Sequence, residues 1–413
     1  MKRLAISFCL FLILFCSCSS KKESERLPEL VRKPYLQSAI ADSVSILWRT
    51  NIGQEARVDY RVKGENNWQT ATGLTRKTNT NLIENEVVLK QLKPNTVYEY
   101  SVFTDHESPL NKSPYHFTSP VSATDSVFSF FAVGDIGEPV DDGGTPDKLG
   151  EALAPFVDSL RFGLLLGDII YPDGKSEVYD ENLFQYFGAV FPYVPVFTVL
   201  GNHDWHEPQQ NYMKEWKLPG NEHYYSFDYG NVHFTALDTK NGEMHDYDKQ
   251  VEWLKEDLAN IPESAEWRVV FLHHNGRSCT YKDDYEAVVS LYTLFDEFDV
   301  DLVLNGHAHT YERLRPMNAN GPTMEQVLQD SIYSNPTGFV SITVGSGGKL
   351  RGIGSDPTPW EPSPENCDYP NLVAAYTHDW AFLKLDVNGK VLTGTAITTE
   401  GNQVVDRFSI EKN

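Results

Sequence analysis

The sequence predicts two domains in series, an all-β sandwich followed by a larger α/β domain, on three observations. Between residues 32 and 120 apolar and polar residues alternate, as at Val44, Ile46 and Trp48 and at Ala56, Val58 and Tyr60, which is the period of half-buried strands. From Ser129 onward, short apolar runs alternate with amphipathic segments, a pattern that favours parallel strands joined by helices. Between the two lies a polar stretch, Thr118 to Ser126, whose Pro120 interrupts any continuing strand, so the domains are expected at 32–120 and 121–413.

Residues 1–17 open with Met1, Lys2 and Arg3, run through an apolar stretch from Phe8 to Phe15, and end at Ser17 before Cys18. That is the shape of a secretory signal, too short to span a bilayer. A small residue ahead of Cys18 resembles a bacterial lipoprotein cleavage box. Cys18 is then the lipidated first residue of the mature chain, residues 18–31 are a polar tether, and contact with a membrane runs through that anchor. Ser19 after it resembles an outer-membrane sorting signal, so the expected location is the cell envelope. Besides the anchor, the processed chain keeps Cys279 and Cys367, either paired or as free thiols.

With 413 residues, 40% of them hydrophobic, the chain is long enough to build two cores. Its formal charge of -23 argues against nucleic acid as a partner, because backbone binding needs clustered Lys and Arg. In the sandwich, Leu92 to Tyr100 resembles the tyrosine-corner stretch of fibronectin type III domains, with Tyr98 as the corner residue. The module carries no titratable cluster and reads as a scaffold.

In the second domain, five apolar runs each end in a polar motif. Phe130 to Val133 leads into Gly134-Asp135-Ile136-Gly137, and Leu164 to Leu166 into Gly167-Asp168-Ile169-Ile170-Tyr171. Val194 to Leu200 leads into Gly201-Asn202-His203-Asp204, Val269 to Leu272 into His273-His274, and Leu302 to Leu304 into Gly306-His307-Ala308-His309-Thr310-Tyr311-Glu312-Arg313. Helices are expected over Gln250–Leu258 and Ala287–Phe298, and strand-like alternation returns from Gly338 to Ile410. Each motif alone has an ordinary reading, a capping Asp or an exposed turn His. Five of them in order, each after an apolar strand, point to one dinuclear metal site at the carboxyl edge of a sheet.

These motifs resemble the purple acid phosphatase branch of the calcineurin-like metallophosphoesterases, from about Pro34 to the C-terminus. The wider superfamily opens with Asp-x-His, where this chain has Gly137; in the purple branch the missing ligand is the Tyr of Gly-Asp-x-x-Tyr, here Tyr171. The resemblance implies a four-layer α/β/β/α sandwich in which Asp135, Tyr171 and His309 hold a first metal, Asn202, His273 and His307 a second, and Asp168 bridges both. A phenol binds as phenolate most readily to a strongly Lewis-acidic ion, which favours Fe(III) first, with divalent Zn, Fe or Mn second. The implied activity is acid hydrolysis of small-molecule phosphomonoesters by a hydroxide held at the metal pair, with phosphodiesterase or nucleotide pyrophosphatase activity, or a non-catalytic surface-binding lipoprotein, as alternatives. His203 is expected to touch the phosphoryl oxygens or protonate the leaving alcohol, with His206 and His245 as substitutes. The stretch after the fourth motif departs from plant-type members: Asn275 stands for a common Pro, no further His follows, and Arg277 is a candidate phosphate ligand. His274 is expected to be a bystander, Tyr311, Glu312 and Arg313 supports, and Gly345 to Gly348 a tight turn rather than a phosphate cradle.

Overall fold

A computed structural model describes residues 27–105, 107–205, 211–240, 243–323, 331–351 and 370–413. The leader, Cys18, most of the tether, His206 and Cys367 lie outside the described residues.

Two antiparallel four-stranded sheets form the N-terminal part, one ordered Leu30–Ile40, Ser43–Thr50, Ile83–Leu89, Leu74–Lys77 and the other Gln69–Thr72, Arg57–Val62, Val97–Phe103, Tyr115–Thr118. The alternating residues close a shared core of Ile46, Trp48, Val58, Val87, Tyr98 and Tyr100. The Tyr98 hydroxyl accepts the Lys93 N–H at 2.9 Å, tying the strand to the loop upstream of it.

The second part contains two mixed seven-stranded sheets. In the first, Val127–Val133, Leu160–Leu165 and Val196–Thr198 run parallel, and the C-terminal strands Ala381–Asn388, Val391–Thr398 and Val404–Glu411 extend the sheet antiparallel. In the second, Val232–Ala236, Trp267–Phe271, Leu302–Asn305 and Val340–Val344 are parallel neighbours. The chain end therefore feeds both sheets, Val340–Val344 and Val373–Thr377 joining the second and the last three strands the first. The sheets pack face to face through an aromatic layer in which Phe130 meets Phe234 edge-on at 5.3 Å and Phe197 stacks on Phe227 at 3.9 Å. Helix Tyr247–Ala259 covers the outer face of the second sheet, burying Leu254 and Leu258 four residues apart on one side. The second expected helix is two short ones, Glu286–Val289 and Tyr292–Glu297, with Ser290 and Leu291 between them.

The sandwich is stitched to the second part. Tyr35 and Leu47 belong to the same apolar cluster as Phe184, Phe191 and Trp216. Leu36 N–H donates to the Phe191 carbonyl at 3.1 Å, and the Tyr100 hydroxyl to the Pro192 carbonyl at 2.7 Å. Beneath these, Arg32 and Arg49, each 1% exposed, both donate to Glu215, at 2.7 and 2.8 Å. Arg49 also pairs with buried Glu84, and Arg32 with Asp180. Buried charges persist only when paired and hydrogen-bonded, and Arg32, Arg49, Glu84 and Glu215 are paired by drawing on both parts of the chain, with half-exposed Asp180 beside them.

Candidate metal centre

All five motifs leave the C-terminal ends of parallel strands, three in the first sheet and two in the second, so they meet where the two carboxyl edges face each other. Asp135, Asp168 and His307 have φ of 57°, 48° and 69°, a left-handed conformation that costs a non-glycine residue about 1–3 kcal/mol and persists where surroundings impose it. Here it turns each side chain sharply out of its strand. The His307 N–H then donates to Asp135 Oδ2 at 2.9 Å, and the His203 N–H to Asp168 Oδ1 at 2.8 Å. Gly201 is required for this approach, because a Cβ there would lie 2.1 Å from the Asp168 nitrogen.

Tyr171 lies between the two carboxylates, its hydroxyl 2.9 Å from Asp135 Oδ1 and 3.0 Å from Asp168 Oδ2. His309 Nε2 is 3.5 Å from Asp135 Oδ1, while its Nδ1 is buried without a hydrogen-bond partner among the described residues. On the other side, His273 Nε2 is 3.3 Å from both Asp168 Oδ2 and Asn202 Oδ1, and its Nδ1 donates to the Leu166 carbonyl at 2.7 Å. That second bond presents Nε2 to the centre. His307 stands with its ring 5.1 Å from that of His273. Position 137 has no room for a ligand: a Cβ on Gly137 would lie 2.2 Å from the Ile169 carbonyl oxygen.

The charges are strongly coupled. Burial pushes the Asp168 carboxyl up, but the His273, His203 and His307 imidazoles outweigh it and hold the group well below the usual carboxylate range. Burial and then the Asp135 and Asp168 carboxylates push the Tyr171 phenol well up. Burial lowers His273, yet Asp168 raises it further, to about 9, whereas burial and the neighbouring His274 and His273 rings press His307 well down.

His203 is half-exposed, its Nδ1 bonded to the Pro172 carbonyl at 2.5 Å and its Nε2 4.0 Å from Asp168 Oδ2. His245 lies elsewhere, stacked on His223 at 4.6 Å. His274, read as a bystander, is drawn into the cluster, its ring 4.4 Å from that of His307 and its Nδ1 2.9 Å from Thr239 Oγ1. Arg277 points to Asp284, at 3.5 Å. The bonds of Tyr311 and Arg313 run to Asp406, and those of Glu312 to Ser278 and Cys279. The Gly347 and Gly348 amides donate to the Gly134 and Asp135 carbonyls, so the turn braces the first motif from below. Sequence reasoning missed two tyrosines: the Tyr285 hydroxyl is 2.5 Å from His307 Nε2, and the Tyr281 hydroxyl accepts the His309 N–H at 2.9 Å. It also missed Lys349, whose ammonium lies 3.9 Å over the Tyr171 ring and 2.9 Å from Glu138.

The calcineurin-like phosphoesterase model matches residues 128–311, and the model of the purple acid phosphatase N-terminal domain matches residues 32–119. The chain belongs to the purple acid phosphatase family. Among family relatives, purple acid phosphatase 18 of Arabidopsis thaliana is 28% identical over 298 residues, 66% of this chain and 60% of that protein. Acid phosphatase type 7 of Danio rerio is 30% identical over 238 residues, 48% and 52% of the two chains. Four Arabidopsis purple acid phosphatases, numbered 18, 15, 20 and 23, are matched over 54% to 65% of their own lengths. The purple acid phosphatase PPD1 from yellow lupin seeds superposes with a TM-score of 0.78 at 21% identity, over 92% of this chain and 74% of that one. A structure of PhoD superposes at 0.67 and 14% identity, over 93% and 91%. Both likenesses are of fold.

Proposed function

We propose that this chain is a secreted, lipid-anchored acid phosphatase that hydrolyses small-molecule phosphomonoesters at a dinuclear metal centre. The observation that carries the reading is the sharing of one phenol by two buried carboxylates, Asp135 and Asp168, inside a ring of imidazoles. Two buried carboxylates facing a neutral hydroxyl are costly unless cations join them, and the donor set fits a metal pair. His309 Nδ1, buried and unpaired among the described residues, belongs to a ring whose other nitrogen faces Asp135, as a ligand's would.

In this reading Asp135, Tyr171 and His309 hold the first ion, Asn202, His273 and His307 the second, and Asp168 both. The oxygen-rich first position suits Fe(III) and the nitrogen-rich second a divalent Zn, Fe or Mn. When bound, the ions supply Lewis acidity to the phosphoryl oxygens and acidify water. The remaining work falls to the protein. Asp168 is held by the His203 N–H and Asp135 by the His307 N–H, so the carboxylates keep their aim. The Pro172 carbonyl accepts from His203 Nδ1–H, so the doubly protonated ring presents Nε2–H to the departing alcohol and is left neutral once that proton is given up. Export is supported by the leader and by Cys279, which is disulfide-bonded, a state of oxidising compartments.

The deciding experiment combines metal analysis and visible absorption of the purified protein and its Tyr171→Phe variant with turnover of p-nitrophenyl phosphate and its bis ester. Iron plus a second metal, a visible band lost in the variant and preference for the monoester are expected. A colourless protein filled with two divalent ions would remove the Fe(III) assignment, and preference for the bis ester would turn the reading to a diesterase.

A further inference from the structure

We propose that His223, Asp238 and His245 form a third metal site, separate from the pair, which takes a divalent cation of the zinc class. One nitrogen of each histidine and one carboxylate oxygen lie within 4.8 Å of one another. His223 Nδ1 is 2.8 Å from Asp238 Oδ2, and the two imidazole rings stack at 4.6 Å. Two ligand atoms on one tetrahedral zinc stand roughly 3.3 Å apart, so small shifts of the two half-exposed histidines would admit an ion. Two neutral imidazoles with one carboxylate select zinc or a late first-row ion over magnesium or calcium, and partial exposure of the histidines leaves a coordination position open to water.

The support around these three residues is already built. Asp238 is fully buried, and its Oδ1 accepts the Trp205 indole N–H at 3.0 Å, which aims Oδ2 at the histidines. Gln250, also fully buried, accepts the Asp238 N–H at 2.8 Å and donates to the Asp238 and His245 carbonyls at 3.1 and 2.8 Å. A single amide thereby fixes the backbone beneath two of the three candidate ligands, an arrangement that orients a coordination set before the ion arrives. Asp238 follows the Val232–Ala236 strand, whose neighbour Trp267–Phe271 leads to His273, so the third site borders the dinuclear centre on the same edge. Thr239 makes the link, with its hydroxyl 2.9 Å from His274 Nδ1.

The test is zinc binding by the full chain after removal of metals with a chelator, read by elemental analysis at saturation and by thermal melting after each equivalent. Wild type is expected to hold three equivalents and the His223→Gln/His245→Gln variant two, with the third equivalent raising Tm only in wild type. Should the double variant fold poorly, the single His245→Gln change carries the same expectation. Saturation of wild type at two equivalents, or three retained in the variant, would overturn the proposal and leave the trio as a hydrogen-bonded clasp. Because the count is read without substrate, it stands apart from the outcome of the phosphatase assays.

Discussion

Replacing His203 with Ala separates proton delivery from phosphate binding. The imidazole is held from two sides, by the Nδ1 bond to the Pro172 carbonyl and by the Tyr171 ring at 4.4 Å, so Nε2 has one direction in which to act. The contact that orients Asp168 comes from the His203 backbone N–H and survives the substitution. Metal content should therefore hold. Loss of a positioned general acid costs about 10²- to 10⁴-fold in rate, or about 2.7–5.5 kcal/mol in the barrier. That cost falls on leaving groups that need a proton. With an alkyl phosphate kcat should drop by at least about 100-fold, and with p-nitrophenyl phosphate, whose phenolate departs unaided, by less than about tenfold. Steady-state kinetics on both esters, beside metal analysis, measures the difference. Equal losses on the two substrates would refute proton delivery and leave His203 as a phosphate ligand, and a fall in metal content would make it a support of Asp168.

Three further outcomes follow from buried charges. Glu215→Gln should remove two charge-assisted bonds from Arg32 and Arg49 and cost about 3–5 kcal/mol of stability in calorimetry; a loss under about 1 kcal/mol would contradict the pairing. Burial raises the Glu312 carboxyl to about 8, so the native state holds its proton more tightly than the unfolded chain does. Stability is then present at acid pH and is lost between about 4.5 and 8, and Glu312→Gln should flatten that fall, of order a few kcal/mol; an unchanged slope would rule the group out. Although burial works against it, hydrogen bonds that His233 donates to Asp228 and Asp257 raise it to about 9, so its contribution is full below about 6.5 and disappears as pH rises through 9. A His233→Asn variant whose melting temperature kept the wild-type decline over that window would exclude this assignment.

The candidate centre was readable because each piece is local. An apolar run, a turn and a metal-type side chain fall within a few residues, and strand topology does the gathering. The same locality explains Tyr171, whose motif spacing is short. Tyr281, Tyr285 and Lys349 were missed because nothing near them in sequence predicts which side chain their loops bring back to the centre. His223 and Asp238 escaped for a related reason, and His245 was read only as a substitute acid, since three segments contribute one residue each. The helix over Ala287–Phe298 was expected to be continuous because its apolar period is unbroken, but the chain divides at Ser290, whose hydroxyl donates to the Ala287 carbonyl at 2.7 Å. That is a local competition for backbone groups that periodicity does not register.

The seam between the two parts has a consequence for how such a chain can be varied. Arg32, Arg49 and Glu84 belong to the sandwich, and Asp180 and Glu215 to the other part, so each half carries charges that only the other neutralises. Severed near Pro120, neither half would be finished: one would bare two guanidiniums with one carboxylate, the other Phe184, Phe191 and Trp216. Recombination that exchanged the sandwich for one of a similar shape would have to carry both faces of this junction. The two halves are thus a matched pair in charge and apolar surface, and a graft that ignores the five charged residues should yield a protein that does not stay in solution.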